Sequence, residues 1–390
     1  MLTKATTIRI FFFAAALCAG AVFMQHLGQT SMRIQKSVSD STHPIITSKL
    51  FGPVASGTIY TTLINLNELE KSLPITTPYI IELSASGTIV HAKQVSDIAI
   101  DYVPGKDGGS TLGRFVGPGA IKSGWYQVRN DQREVQSRLT IQDNSNTDVH
   151  GITHLENGNY IVPSYKMHID EGGSVLQSFL IEEQTPQGEV VFVWDSINHV
   201  SLTEASYTEV REYWIENDIN NYFHGNSVAE AQDGNLLISG RHVNMVIKID
   251  RYSGEVLWRL GGKLSDFVFV DDPRGGFSHQ HSVSQLSNGN ILLYDNGNLN
   301  ETQISRVVEY KIDETTKTAT LVWSYTDGRF TYATGSVQRL SNGNTFIGWG
   351  LERTGMSSTS PRMTEVNPEG KVVMHIYTPD DSGFYNAFKY

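Results

Sequence analysis

The chain has 390 residues, 39% of them hydrophobic and 18% charged, a globular balance that excludes a disordered polymer. A formal net charge of −11 offers no basic field for phosphates, so nucleic acid is not expected as a partner. The lone cysteine, Cys18, rules out an intrachain disulfide, while 35 Gly, 17 Tyr and 16 Phe suit many short strands joined by tight turns.

Lys4 and Arg9 precede the apolar run IFFFAAALCAGAVFM, which ends at Met24. A basic start and an apolar run are the pattern of a signal peptide or an uncleaved signal anchor. Ala19-Gly20-Ala21 supplies a small-residue cleavage site, and Val22, Phe23 and Met24 carry the apolar character beyond it. The expectation is an exported chain on the periplasmic face, tethered to the inner membrane by residues 8–24. Residues 1–24 form the signal or anchor segment and 25–48 a polar linker. The folded domain is expected over 49–390, with Cys18 facing lipid or removed rather than catalytic.

Strand signals follow in a repeating order. YIIELSASGTIVHA (79–92) and, more loosely, GWYQVRNDQREVQSRLTI (124–141) each read as the third and fourth strands of a four-stranded unit. Four later segments share a hairpin pattern: HGITHLENGNYIV from His150, NSVAEAQDGNLLI from Asn226, HSVSQLSNGNILL from His281 and GSVQRLSNGNTFI from Gly335. Each places an Asn-Gly or Asp-Gly turn between two strands, the strongest short-range hairpin signal. The turn glycines Gly158, Gly234, Gly289 and Gly343 are spaced by 76, 55 and 54 residues. Third-strand segments follow as MVIKID, RVVEYKID and RMTEVN, and fourth-strand segments as GEVVFVW, GEVLWRL, TLVWSY and GKVVMHI. Four alternating strands per repeat, six times over, predict an all-β six-bladed β-propeller. The long first interval places an insertion over 195–222, rich in acidic and aromatic residues, where a helix or lid would bring Tyr213 or Trp214 to an aryl ring.

Residues equidistant from each turn should oppose one another: His150 with Tyr165, Asn226 with Arg241, His281 with Asn296, and Gly335 with Gly350. If the first strand of each hairpin is the innermost of its blade, these positions meet at one rim of the central channel. His224 and His279 stand two residues before Asn226 and His281, and His242 follows Arg241. Imidazoles from different blades would then share a funnel with a guanidinium whose planar fork matches a tetrahedral oxyanion. Histidine there can act as nucleophile, acid or base. The aligned positions hold no carboxylate pair for glycoside hydrolysis, and the chain has no Gly-x-Ser-x-Gly elbow, phosphate-binding loop or dinucleotide fingerprint.

At FHGNSVAEAQDGNLLISGRHVNMVIKID (223–250), FSHQHSVSQLSNGNILLYDNG (277–297), GSVQRLSNGNTFIGWG and the closing YNAFKY, the sequence resembles the bacterial aryl-sulfate sulfotransferases. The resemblance implies transfer of a sulfuryl group from a phenolic sulfate ester to a phenol, independent of the nucleotide donor PAPS and without a cofactor. It aligns His281 with the histidine that becomes sulfurylated, and His224, Asn226 and Arg241 with its partner histidine, asparagine and arginine. His150 aligns with a further active-site histidine, the leaving oxygen falling to His224 or His150. Substrate contacts are expected from Asn226, His279, Asn296 and Tyr165. The resemblance also carries the expectation of a homodimer; the cysteine pair of some members is missing. Two alternatives stay open on the residues alone: a zinc lyase or hydrolase with His150, His224 and His281 as ligands, and a non-catalytic binding propeller.

Overall fold

The computed structural model describes residues 34–35, 43–65, 78–116, 123–143, 145–169, 173, 175–205, 219–352 and 357–390. The signal or anchor segment lies outside these residues. Among the described residues there is no helix long and apolar enough to cross a membrane.

The Asx-Gly turns do close hairpins, with three loop residues rather than two. Ala231 N–H donates to Asn235 O and Gly234 N–H to Ala231 O, and the same pair of bonds recurs at Leu155, Leu286 and Leu340. Only the glycine of each turn is left-handed, with φ of 81–87° from Gly158 to Gly343, so each is a type I turn closed by a glycine bulge. The Asx side chain accepts the N–H two residues on, as Asn288 Oδ1 does from Asn290 at 3.0 Å.

The described residues form six sheets, each a blade. Strands Ile98–Pro104, Ser110–Val116, Ser123–Arg129 and Val135–Leu139 make the second blade. The third is built on Tyr160–Ile169, Val175–Gln184 and Val190–Asp195, with short inner pieces at Asn146–Thr147 and Thr153–His154. Gly225–Glu230, Leu236–Gly240, Met245–Ile249 and Val256–Gly261 make the fourth, and His281–Gln285, Ile291–Asp295, Arg306–Asp313 and Thr318–Tyr325 the fifth. The sixth comprises Ser336–Arg339, Thr345–Gly348, Met363–Val366 and Val372–Tyr377. The first blade takes Ile59–Asn65, Tyr79–Leu83 and Ile89–Gln94 from the start of the domain, and its innermost strand, Ala387–Lys389, from the end of the chain. Thr47–Leu50 adds outside Val372–Tyr377 on the sixth blade. The ring is therefore stitched twice where its ends meet.

Six apolar clusters fill the six interfaces between adjacent blades. Polar clasps join the same neighbours at the turn end. Asn159, Asn290 and Asn344 each donate from Nδ2 at 2.6 Å to a third-strand carboxylate, Glu183, Glu309 and Glu365. Those carboxylates pair with Arg251, Arg339 and Lys389 of the following blade. The final Asn of the Asn-Gly-Asn motif is thus structural. In the fourth blade Lys248 occupies the glutamate position and pairs with Asp233 of its own turn at 2.6 Å.

The expected cross-strand pairs are corrected by this geometry. The three-residue loop moves the register by one, and a bulge at Asn226, between the pairs Gly225↔Gly240 and Ser227↔Ser239, moves it by one more. Arg241 N–H therefore bonds to His224 O rather than facing Asn226. A bulge after His281 likewise pairs it with Tyr294, and Tyr165 pairs with Asn146 instead of His150.

Of the 195–222 insertion, two short 3-10 turns are described, Ser196–Asn198 and Leu202–Glu204, together with Ile219–Asn220, which pairs in parallel with Val175–Leu176. Tyr213 and Trp214 lie outside the described residues.

Candidate active site

The inner strands line a central channel of about 1230 Å³, and His150, Asn226, His281, Gly335 and Tyr385 stand along its wall. Backbone conformations that L-residues rarely adopt recur in and just before the inner strands: Asp101, His224, His279, Ser282 and Thr334 all have φ between 48° and 60°. Each such residue costs on the order of 1 kcal/mol or more, and such strain collects where side chains must be aimed at a ligand.

The histidines expected at separate blades do meet. The His150 ring centroid lies 5.4 Å from His224, which lies 4.4 Å from His242 in a stacked pair, and His242 is 6.0 Å from His279. Tyr165 contributes its ring, 5.7 Å from His150 and 5.6 Å from His224, and its hydroxyl donates to Gly225 O at 2.7 Å. Tyr385 bridges two catalytic candidates, with its ring 5.1 Å from His150 and 6.3 Å from His281.

The hydrogen-bond network assigns a protonation pattern to each ring. Asn296 is fully buried and donates from Nδ2 to the carbonyls of Thr331 (2.9 Å) and Thr334 (3.0 Å), which can only accept. Its Oδ1 therefore faces His281 Nδ1, at 2.7 Å, and that nitrogen must carry the proton. Nε2 of His281 is left with its lone pair. Burial, and next the Arg241 charge, push this imidazole down to about 3, so it is neutral at ordinary pH.

Arg241 follows the Leu236–Gly240 strand. Its guanidinium reaches His242 Nε2 at 2.8 Å and Tyr332 O at 2.9 Å. His242 Nδ1 donates to Asn221 O at 2.6 Å, which leaves Nε2 as the acceptor for the arginine. Burial holds His224 and His279 well below the usual imidazole range as well, with Arg241 adding to the effect in both. Arg241 thus sets a permanent positive charge near His224, His279 and His281, whose rings stay neutral, a setting that favours an oxyanion.

Asn226 is buried and donates from Nδ2 to Gln280 O at 2.7 Å, while its main-chain carbonyl accepts from the Tyr385 hydroxyl at 3.0 Å. His279 is held by its N–H on Asn244 Oδ1 at 2.8 Å. All eight sequence-selected residues, His150, Tyr165, His224, Asn226, Arg241, His279, His281 and Asn296, therefore belong to one connected cluster.

Three partners were not singled out from the sequence. Asp148 grips His150 Nδ1 with both carboxylate oxygens, at 2.6 and 2.8 Å. Asn221 serves both His224 and His242. Tyr385 comes from the closing strand segment. Their signals, Asp-x-His and Asn-x-x-His, are short and local, and the tyrosine's role depends on ring closure.

Among the described residues no group of three or more His, Cys, Asp or Glu side chains is placed to hold a metal ion.

The arylsulfotransferase (ASST) family model matches residues 132–385. This chain belongs to the arylsulfotransferase family. No curated protein matches it significantly in sequence. Among solved structures, a protein of unknown function from Bacteroides caccae is 14% identical with a TM-score of 0.53, covering 86% of this chain and 99% of its own. A putative 6-phosphogluconolactonase from Bacteroides fragilis is 9% identical with a TM-score of 0.43, covering 85% and 98%. At 14% identity the Bacteroides caccae likeness speaks to fold alone. The family match covers the third to sixth blades, which supply all eight sequence-selected residues, and runs through Tyr385.

Proposed function

We propose that this arylsulfotransferase family member moves a sulfuryl group from a phenolic sulfate ester to a phenolic acceptor by a ping-pong mechanism through His281. The observation that carries this reading is the Asn296-locked tautomer of His281, which leaves a neutral Nε2 lone pair on the channel wall beside Arg241. In the first half-reaction Nε2 attacks sulfur, the N–S bond forms and the S–O bond to the aryl group breaks. The departing oxygen takes a proton from His224 or His150. The acceptor phenol then returns a proton to that same imidazole and attacks sulfur, the N–S bond breaks, and His281 is regenerated.

Arg241 supplies charge and donors for the sulfuryl oxygens, with the second N–H of Asn226 and the imidazole of His224 beside it. As in phosphoryl transfer, positioning and fixed charge carry most of the acceleration. The apolar faces of Tyr165 and Tyr385 suit an aryl ring. Export, attachment to the membrane through residues 8–24, and a homodimer belong to the same reading.

The full chain, with 4-nitrophenyl sulfate and phenol and no nucleotide, should release nitrophenolate in a phenol-dependent manner. Intact mass should show one sulfuryl adduct that maps to His281. Turnover without any adduct, or an adduct elsewhere, would sink the covalent mechanism. Replacing Arg241 with Gln should lower kcat by roughly 10²–10³-fold, the usual effect of a lost oxyanion donor.

A further inference from the structure

The two histidines that remain candidates for the leaving oxygen are held in opposite ways. Asp148 is buried, and its carboxylate lies within 2.8 Å of His150 Nδ1 through either oxygen while also accepting the His150 N–H at 3.1 Å. A carboxylate can only accept, so Nδ1 of His150 carries a proton. Nε2 is then the atom that gains or loses one, and the carboxylate balances the imidazolium when it forms.

His224 meets the reverse arrangement. Asn221 Oδ1 accepts the His224 main-chain N–H at 3.1 Å, and that fixes which end of the amide faces the ring. Asn221 Nδ2 therefore donates to His224 Nδ1 at 2.9 Å. With Nδ1 accepting, the neutral ring keeps its one proton on Nε2 and can donate a hydrogen bond, but it has no proton to release. Asn221 is the last residue but one of the insertion between the third and fourth blades, and its carbonyl also fixes His242.

We propose that Asp148 and Asn221 are positioning residues that divide the labour of the site, making His150 the proton carrier and His224 a donor to the sulfuryl oxygens. This rests on the sulfuryl-transfer reading above. In the first half-reaction the imidazolium of His150 gives its Nε2 proton to the aryl oxygen as the S–O bond breaks. In the second, neutral Nε2 takes the acceptor's hydroxyl proton as its oxygen attacks sulfur, and the proton count closes over the cycle. Throughout, His224 holds Nε2–H on the oxygens that keep the negative charge.

The test is the dependence on leaving group. A 4-nitrophenolate departs with little help, whereas an unsubstituted phenolate needs the proton. Asp148→Asn is isosteric and keeps an acceptor for the His150 N–H. It should lower kcat/KM on phenyl sulfate by roughly 10²–10⁴-fold, the usual worth of general acid catalysis, and leave 4-nitrophenyl sulfate much less affected. Asn221→Ala should slow both donors by a similar factor, because the sulfuryl oxygens are common to them. Equal loss on both donors in Asp148→Asn would make that residue merely structural. A loss confined to the poor leaving group in His224→Gln would give His224 the acid role; either result overturns the proposal.

A wild-type chain that forms no sulfuryl adduct with any aryl sulfate would instead remove the reaction itself. Histidine ¹⁵N spectra separate the cases without turnover. They should show His224 protonated at Nε2 and His281 and His150 at Nδ1, and a His224 protonated at Nδ1 would overturn the assignment.

Discussion

Asn296 Oδ1 and His281 Nδ1 lie 2.7 Å apart, and the two carbonyls that accept from the other end of the amide make this contact directional. A buried amide with three partners does not turn over. Removing it frees His281 to take the other tautomer, which buries the lone pair and turns an N–H toward the substrate. Asn296→Leu should therefore reduce the rate of the nitrophenolate burst by roughly 10²–10⁴-fold, as an imidazole held in the wrong tautomer does elsewhere. His281→Ala should abolish turnover and adduct together. Rapid-mixing kinetics with intact mass checks both.

Burial keeps His281 neutral far into acid, with its imidazole pushed down to about 3. The nucleophile is thus available at pH 5, and the burst amplitude should match that at pH 8. Stability behaves differently. The unfolded chain protonates this histidine near 6.5, while the folded chain resists, so the unfolded state binds more protons below that pH. His154, pushed down to about 4 by burial, acts in the same direction, as do His224 and His279. Each such group removes about 1.4 kcal/mol per pH unit as pH falls from 6.5 toward its folded value. Urea unfolding at pH 7.5 and 5.0 should show a lower midpoint in acid. An unchanged midpoint would count against the buried neutral cluster.

The repeats made the architecture legible, because a blade's hairpin, third strand and fourth strand each carry a local pattern of alternation and turn residues. Glu183, Glu309 and Glu365 fall at the same place in that pattern, and their clasps follow from it. The clustering of His150, His224 and His281 was legible from register alone. Register failed at one level finer. A Gly-Asn pair does not reveal whether its loop has two or three residues, and the bulges at Asn226 and His281 are strand-end strain that no local composition specifies. The three-residue loop and the Asn226 bulge together move Arg241 from Asn226 to His224. Tyr385 escaped for a topological reason: it reaches His150 only because the chain end returns to the first blade.

Lys389 and Glu365 form a fully buried pair at 2.7 Å in the closing stitch, where Lys389 also donates to Ala85 O at 3.0 Å. Glu365 Oε1 is held in addition by Ala55 N–H and Asn344. Removing one partner leaves a buried charge uncompensated. Lys389→Met should cost about 3–5 kcal/mol, whereas Lys389→Met with Glu365→Gln should recover part of that loss. Chemical denaturation of wild type, Lys389→Met, Glu365→Gln and the double variant measures the coupling. Because the stitch joins the sixth blade to the first, its loss should also speed proteolysis at the chain ends before the site is affected.

Asp101 is a buried carboxylate in the site region held by two neutral donors: Ile152 N–H at 2.8 Å and Asn386 Nδ2 at 2.7 Å. Burial raises it to about 6, and the neighbouring Asp148 adds to the rise. A carboxyl group raised above its unfolded value favours the folded state in acid, and that contribution is lost as pH rises from 3.8 through 6. Asp101→Asn removes the charge and keeps an acceptor for Ile152. Its new Nδ2 faces the Asn386 amide, which turns over so that its Oδ1, a buried atom that otherwise has no partner, accepts. The backbone at this position has φ 60°, which asparagine tolerates as well as aspartate. The variant should be more stable than wild type at pH 8, by about 1–3 kcal/mol, with the gain shrinking toward pH 5. A destabilised variant at pH 8 would mean that the carboxylate is held by something other than these two donors.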